Sequence, residues 1–197
     1  MVDNGSKTEQ GELQKRVKLG PAAINKLLDQ MVTECQSLLA GKQPLVVGIH
    51  TGGVWVAQAL AKRLQCSSGE VDVSFHRDDI LKRGLPRQTA VTQLPVSLRG
   101  RTVVLVDDVL HTGRTIRAAL EELYDRGRPA QVLLAVLVDR GGHELPIRAD
   151  VVGEYLNVEP GELVKLSGPK PLKIEVHSGR DESVINQPHD GNVEVNG

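Results

Sequence analysis

The sequence has little cysteine, few aromatic residues and no long apolar run. Its two cysteines, Cys35 and Cys66, are too few for a disulfide framework or for a zinc site built on four thiolates. One Trp, one Phe and two Tyr argue against a nucleic-acid surface built on stacked aromatics. No apolar run approaches the roughly 20 residues of a membrane helix, and the polar N-terminus is unlike a secretory signal. We therefore expect a protein of the reducing cytoplasm with no membrane partner.

The sequence also lacks an excess of either charge. The formal net charge is −1 at pH 7, so the whole chain exerts no bulk attraction on nucleic acid. With 40% apolar and 25% charged residues among 197, the composition is that of an ordinary globular domain. Residues 178–197 are rich in acidic and poor in apolar residues, which predicts a disordered acidic tail. Residues 1–15 are predicted to be a flexible N-terminus, which leaves 16–177 as the folded domain.

Between these tails the sequence alternates between strand and helix patterns. Helices are predicted from the spacing of apolar residues at 21–41, 53–65 and 115–125. Strands are predicted at 44–49, 71–75, 102–106, 132–138, 151–155, 162–166 and 172–177, the last two as a hairpin. This alternation predicts an α/β fold in which helices flank a parallel-sheet core.

Residues 77–93 have no apolar face and contain several Arg, Lys, Gly and Pro residues. A segment of this length without regular structure inside a compact domain is usually functional. We therefore predict a mobile loop there.

The most informative stretch is 103–115, VVLVDDVLHTGRT. An apolar strand is predicted to end at Asp107 and Asp108, and a short Thr-Gly-Arg-Thr loop then leads into a helix. Ligands of open α/β sheets bind outside the carboxyl ends of the strands, and amides at a helix N-terminus bind phosphate. Two acids beside a phosphate site are explained if they accept hydrogen bonds from sugar hydroxyls or lie near a metal. The stretch therefore predicts a ribose phosphate ligand.

Other interpretations of the two acids find less support. A strand ending in acids also occurs at the metal site of nucleoside triphosphatases, but the Gly-x-x-x-x-Gly-Lys-Ser/Thr loop is absent. Gly-x-Gly-x-x-Gly is absent as well, so a dinucleotide site is not supported. Asp107 and Asp108 could also be simple helix caps, which the rest of the 103–115 stretch disfavours.

The stretch 103–115 resembles the phosphoribosyl-pyrophosphate (PRPP) motif of type I phosphoribosyltransferases. The segments 75–81, 103–118 and 137–150 are similar to the PyrR family, whose members regulate pyrimidine operons and have uracil phosphoribosyltransferase activity. This resemblance covers about residues 15–177. It implies the type I phosphoribosyltransferase fold, with a mobile loop and a C-terminal strand hairpin. It also implies Mg²⁺-dependent conversion of uracil and PRPP into uridine monophosphate (UMP) and pyrophosphate.

The resemblance also implies roles for individual residues. Asp107 and Asp108 would hold the ribose hydroxyls, and Arg77 at the start of the mobile loop would close over the pyrophosphate. The loop that would bind the 5′-phosphate consists of His111, Thr112, Gly113, Arg114 and Thr115. The loop that would bind the pyrophosphate consists of His50, Thr51, Gly52 and Gly53.

On the base side, the resemblance places Asp139 and Arg140. Asp139 is also the candidate carboxylate for Mg²⁺, which would otherwise be held through the phosphates of PRPP. Arg148 is the candidate RNA contact.

Two segments depart from the PyrR pattern. The family's pyrophosphate loop reads Lys-Thr-Arg-Gly, whereas residues 50–53 read His-Thr-Gly-Gly, so the loop arginine is absent. RNA-binding members read Asp-Arg-Gly-His-Arg-Glu-Leu-Pro, whereas residues 139–146 read Asp-Arg-Gly-Gly-His-Glu-Leu-Pro. Because each lost phosphate contact weakens RNA binding, we expect a weakened RNA patch.

Three functions therefore stay open. The first is a PyrR-like uracil phosphoribosyltransferase with a role in pyrimidine gene regulation. The second is a UMP-sensing RNA-binding attenuation regulator with weak or no catalysis. The third is a purine phosphoribosyltransferase, which the shortage of aromatics to cover a purine disfavours. The resemblance implies a homodimer or larger homo-oligomer, for which the apolar face around Val54 and Trp55 is a candidate interface.

Overall fold

The computed structural model describes residues 15–73 and 92–178. In this part of the chain the helices are α1 Pro21–Leu39, α2 Gly52–Leu64 and α3 Arg114–Arg126. The strands are β1 Lys15–Leu19, β2 Leu45–Ile49, β3 Ser67–Val71, β4 Thr102–Leu110, β5 Gln131–Asp139, β6 Val151–Tyr155, β7 Glu162–Ser167 and β8 Lys173–Ser178. The predicted tails lie outside the described residues except for Lys15 and Ser178, which belong to β1 and β8. The predicted mobile loop also lies outside them, except for its last two residues.

The main sheet has five strands in the order β3-β2-β4-β5-β6, and every neighbouring pair is parallel. This confirms the predicted α/β fold. The central strands β2, β4 and β5 are buried over almost their whole length because helices cover both faces of the sheet. Of the described helices, α1 and α2 contribute to the apolar cluster on one face and α3 to the cluster on the other.

A second, antiparallel sheet of three strands has the order β1-β8-β7. It contains the predicted hairpin of β7 and β8, and adds a strand that the sequence did not indicate. The sequence of β1, Lys-Arg-Val-Lys-Leu, is mostly polar, and Val17 is 57% exposed. The strand forms because β8 supplies backbone hydrogen-bond partners more than 150 residues away in sequence.

Two predicted strand boundaries were wrong. Of the strand predicted at 71–75, residues 72 and 73 are not in a strand, and residues 74 and 75 lie outside the described residues. The described strand is Ser67–Val71, where the polar Ser-Ser-Gly-Glu sequence pairs with β2 as an edge strand. The strand predicted to end at 106 continues to Leu110, because β5 is long enough to pair with it along that length. Asp107 and Asp108 therefore lie inside β4 rather than after it.

Gly48 in β2 sets the position of the loop that follows. A Cβ at this position would lie 2.5 Å from Val54 Cα and 2.7 Å from the Gly53 carbonyl oxygen. Because glycine has no Cβ, the first turn of α2 packs directly against β2. The β2–α2 loop is thereby held beside the carboxyl end of β4.

Within residues 15–73 and 92–178, no helix combines the length and the apolar character required to cross a bilayer.

Candidate active site

A cavity of about 280 Å³ opens at the carboxyl ends of β2 and β4, where ligands bind in open parallel sheets. It joins three of the predicted segments: the 50–53 loop, the two acids of β4 and the start of α3. Its lining consists of His50, Thr51, Gly52, Trp55, Asp107, Asp108, Val109, Thr115, Lys165 and Leu166.

The two acids of β4 lie side by side but differ in burial. Asp107 is 6% exposed and its Oδ1 accepts a hydrogen bond of 2.9 Å from the backbone N–H of Asp108. Asp108 is half-buried. Because both residues belong to a paired strand, their backbone positions are fixed by the neighbouring strand β5. The site therefore presents two carboxylates on a rigid element.

The 50–53 loop lies directly over these acids. A Cβ at Gly52 would lie 2.2 Å from Asp108 Oδ2, and one at Gly53 would lie 2.6 Å from the Val106 carbonyl oxygen. The His50–Thr51 peptide bond that precedes them is cis. Glycine at 52 and 53 lets the loop backbone approach the carboxylates closely, and any side chain at 52 competes with Asp108 for space.

The His50 side chain is directed toward the neighbouring edge strand. Its Nε2 lies 2.9 Å from Glu70 Oε2 in β3. Glu70 also accepts a hydrogen bond of 3.4 Å from Gln58 Nε2 of α2. These contacts connect the first residue of the 50–53 loop to β3 and α2.

The 111–115 loop forms the N-terminus of α3. Gly113 is its N-cap with φ +91°, a conformation that favours glycine, and Thr112 Oγ1 accepts a hydrogen bond of 3.3 Å from the Arg114 N–H. Thr115 in the first turn lines the cavity. Backbone amides and a hydroxyl at a helix N-terminus are suited to an anion.

Hydrogen bonds and an ion pair from the segment after β5 hold this loop in place. The N–H groups of Glu144 and Leu145 donate to the Thr112 carbonyl oxygen at 3.0 and 3.1 Å. The Arg114 guanidinium and the Glu144 carboxylate form an ion pair of 2.8 Å. His111 Nδ1 lies 2.8 Å from the Gly141 carbonyl oxygen. The loops that follow β4 and β5 are therefore joined by backbone, charged and imidazole contacts.

Asp139, at the end of β5, is 6% exposed and bound within its own loop. Its Oδ1 accepts a hydrogen bond of 2.9 Å from the Gly141 N–H and lies 2.9 Å from His143 Nε2. Neither Asp139 nor the half-buried Arg140 is among the residues that line the cavity. Arg148 is exposed and its guanidinium donates to the Ile147 carbonyl oxygen at 3.1 Å.

Over residues 15–73 and 92–178, no group of three His, Cys, Asp or Glu side chains is placed to hold a metal ion. The carboxylates at the cavity number two, which suits Mg²⁺ bound mainly by substrate phosphates rather than by an all-protein cage. Arg77 lies outside the described residues.

Four lining residues were not predicted as site residues: the apolar Val109 and Leu166, and two that bear on the chemistry, Trp55 and Lys165. Lys165 comes from β7 of the antiparallel sheet, and Trp55, predicted as part of an interface face, is half-buried in the wall. Lys165 is the one lysine or arginine among the lining residues that the structure describes. No local sequence signal marks it, since an alternating strand with one lysine is typical of a solvated sheet face.

This fold and this arrangement of loops define the phosphoribosyltransferase class. The family model described as "Phosphoribosyl transferase domain" matches residues 14–160. Among solved structures, a hypoxanthine phosphoribosyltransferase from Staphylococcus aureus superimposes with a TM-score of 0.57 and 25% identity, covering 73% of this chain and 79% of that one. The Trypanosoma cruzi enzyme gives a TM-score of 0.60 at 17% identity, covering 76% of this chain and 84% of that one.

Relatives of higher sequence identity indicate a subfamily within this class. The bifunctional protein PyrR of Nitrosococcus oceani is 46% identical over 160 residues, which are 78% of this chain and 90% of the relative. That of Pseudomonas fluorescens is 50% identical over 161 residues, which are 79% of this chain and 94% of the relative. The chain belongs to the phosphoribosyltransferase family and, within it, to the PyrR proteins, which confirms the resemblance drawn from residues 75–81, 103–118 and 137–150.

Proposed function

We propose that this protein is a Mg²⁺-dependent uracil phosphoribosyltransferase that converts uracil and PRPP into UMP and pyrophosphate. One observation carries the proposal: a single cavity of about 280 Å³ joins the Asp107–Asp108 pair, the glycine loop over it and the N-terminal turn of α3. Diol acceptors, an amide-rich loop and a helix N-terminus are the groups that a ribose with phosphates at both ends requires.

The ribose is held by the two carboxylates of β4. Asp107 is fixed by burial and by the Asp108 N–H, so its carboxylate is presented in one orientation. Carboxylates accept hydrogen bonds from the 2′- and 3′-hydroxyls, and the 5′-phosphate then reaches the amides of the 111–115 loop. Rigid acceptors on a strand limit the rotation of the sugar, which places its anomeric carbon for displacement.

The pyrophosphate leaves toward the 50–53 loop. Its negative charge develops beside loop amides and the Lys165 ammonium group, both of which stabilise it more as the bond breaks. Mg²⁺ would supply positive charge beside this leaving group, and Asp139 is the candidate carboxylate that would hold it on the protein side. Arg77 is proposed to add charge from the loop that follows β3.

Uracil binds opposite the leaving group, on the side of β5 and Arg140. A ring nitrogen of uracil forms the bond to the anomeric carbon as the bond to pyrophosphate breaks. The alternative of a purine phosphoribosyltransferase has less support. The solved hypoxanthine enzymes are only 17–25% identical to this chain, so their likeness concerns the fold rather than the base that is bound.

The test is formation of UMP and pyrophosphate from uracil and PRPP with Mg²⁺ at neutral pH. We expect turnover by the wild-type protein and a loss of at least about 10²-fold in the Asp107→Asn, Asp108→Asn double variant, because the ribose is no longer oriented. Circular dichroism and thermal unfolding should show the fold retained, since asparagine matches aspartate in shape. Full activity in the double variant would refute the assignment.

A regulatory role is the second part of the proposal, supported by the relatives, which are named as bifunctional. Arg148 is exposed beside the segment that braces the 111–115 loop, so ligand in the cavity can influence its surroundings. We expect UMP to strengthen binding of a pyrimidine-operon leader RNA, and Arg148→Ala to weaken it. Binding that lacks sequence preference and UMP dependence would contradict this role.

A further inference from the structure

His111 is held in one tautomer by the loop after β5. Its Nδ1 lies 2.8 Å from the Gly141 carbonyl oxygen. A carbonyl oxygen only accepts hydrogen bonds, so Nδ1 must carry the proton of the neutral ring. The lone pair of the neutral ring is therefore on Nε2, and the residue is exposed, so a ligand can reach it.

The glycines at 141 and 142 make this arrangement possible. Both have a positive φ, +70° and +72°, and a Cβ at Gly142 would lie 2.6 Å from His111 Cε1. The imidazole packs against bare backbone at a position where any other residue would displace it. The ring is thus oriented by packing as well as by its hydrogen bond, as a proton-transfer group requires.

Under the proposed function, the sheet order places this imidazole on the side from which uracil attacks, although His111 itself is not among the residues that line the cavity. The 50–53 loop follows β2, and Gly141 follows β5, while the acids that hold the ribose lie on β4 between them. In an in-line displacement the nucleophile enters opposite the leaving group. With pyrophosphate over the 50–53 loop, the nucleophile enters from the β5 side, where His111 is bound to Gly141.

We propose that His111 Nε2 is the general base of the reaction, an inference that rests on the proposed function. The bond between a uracil ring nitrogen and the anomeric carbon forms, and the bond from that carbon to the pyrophosphate oxygen breaks with its electron pair on pyrophosphate. The proton of the uracil N–H passes to Nε2 and then to solvent. A positioned base of this kind contributes about 10²–10⁴-fold to a rate.

Two variants separate a catalytic role of His111 from a structural one. In His111→Asn the side-chain amide nitrogen takes the place of Nδ1 and can still donate to the Gly141 carbonyl, but no base remains. His111→Ala removes both the hydrogen-bond donor to Gly141 and the base. If the imidazole only braces the loop, His111→Asn should behave like the wild type and His111→Ala should be impaired.

The experiment measures kcat and KM for both variants with uracil and with 5-fluorouracil, whose ring N–H is more acidic because fluorine withdraws electrons. With uracil we expect kcat of both variants to fall by about 10²-fold or more, while KM for PRPP stays within about twofold. With 5-fluorouracil the loss should be about tenfold smaller, because a more acidic substrate depends less on a base.

The possible failures can be told apart. If the wild-type protein forms no UMP, both the proposed function and this inference are refuted. An active wild type with a His111→Asn variant of normal kcat would overturn the inference alone. Equal losses with both substrates, or a loss confined to KM for PRPP, would likewise overturn it in favour of a bracing role.

Discussion

At Gly52, the Asp108 carboxylate occupies the space that a side chain would need. The position of its missing Cβ lies 2.2 Å from Asp108 Oδ2 and 2.4 Å from the carboxyl carbon. The resemblance drawn from the sequence implies an arginine at this position, whereas in this chain the Asp108 carboxylate occupies the space beside the Gly52 backbone. A cation for the pyrophosphate must then come from elsewhere in the site.

Gly52→Ala tests this arrangement. The new Cβ forces the Asp108 carboxylate to rotate, so we expect kcat/KM for PRPP to fall by roughly tenfold or more while the midpoint of thermal unfolding changes little. Steady-state kinetics and a thermal melt measure the two effects.

Gly20→Ala is the matched control, because its Cβ would meet nothing within 4 Å and its φ is −84°. It should leave kcat/KM unchanged. If Gly52→Ala leaves the kinetics unaltered, the present position of the Asp108 carboxylate is not required for the reaction.

The antiparallel sheet is the element that completes the cavity. Leu166 of β7 and Ile174 of β8 are buried in the apolar cluster that α1 and α2 share with the main sheet. This packing fixes β7 over the site and brings Lys165 into its wall. A sheet remote in sequence from the 103–115 motif therefore contributes a lysine to the cavity lining, whereas the 50–53 loop contains no lysine or arginine.

Lys165→Met should weaken PRPP binding without affecting the fold. Because the lysine is exposed, the expected loss of PRPP binding free energy is about 1 kcal/mol, which corresponds to a roughly fivefold rise in KM for PRPP. The change in kcat should be smaller. The rise should be smaller at high salt, where the charge of the wild-type lysine is screened.

Lys170→Met removes the same charge from the turn between β7 and β8, outside the cavity lining, and should leave KM as it is. Equal effects of the two substitutions would assign the change to net charge rather than to the site.

At the scale of the whole molecule, the two apolar clusters hold the central sheet between helices. Cys35 of α1 is 1% exposed in the cluster on the α1–α2 face. Desolvation by burial raises the pKa of its thiol to about 11, with smaller contributions from the nearby Glu34 and Cys66. The folded protein therefore keeps this thiol protonated at a pH where an unfolded chain has lost the proton.

The sign of the effect on stability follows from linkage. Because the folded pKa is above the unfolded value of 9.0, the stabilisation is complete below pH 9 and is lost as pH rises toward 11. We expect the free energy of unfolding, measured in urea under reducing conditions, to fall between pH 8 and pH 10.5, and to fall less in Cys35→Ala.

Cys66→Ala is the control, since Cys66 is only half-buried. It should keep most of the pH dependence of the wild type. A Cys35→Ala variant that loses stability as steeply as the wild type would assign the dependence to other groups.

The order of helices and strands was predictable because it depends on local patterns. Apolar spacing in α1 and the unbroken apolar runs of β2, β4 and β5 identify elements that are buried on one or both faces. The 103–115 motif predicted the two carboxylates of the cavity and the loop at the start of α3 together, because strand, acids and helix start are contiguous in the chain.

Features that depend on distant partners were not predictable. β1 exists because it pairs with β8, β4 extends to Leu110 because it pairs with β5, and Lys165 reaches the cavity because β7 packs on the α1–α2 cluster. The tautomer of His111 likewise depends on a carbonyl 30 residues away. The sequence alone determined most of the elements, the family and the acids of β4, since these rest on neighbouring residues. Only the tertiary structure decided which of the other polar groups meet those acids, because those contacts join segments far apart in the chain.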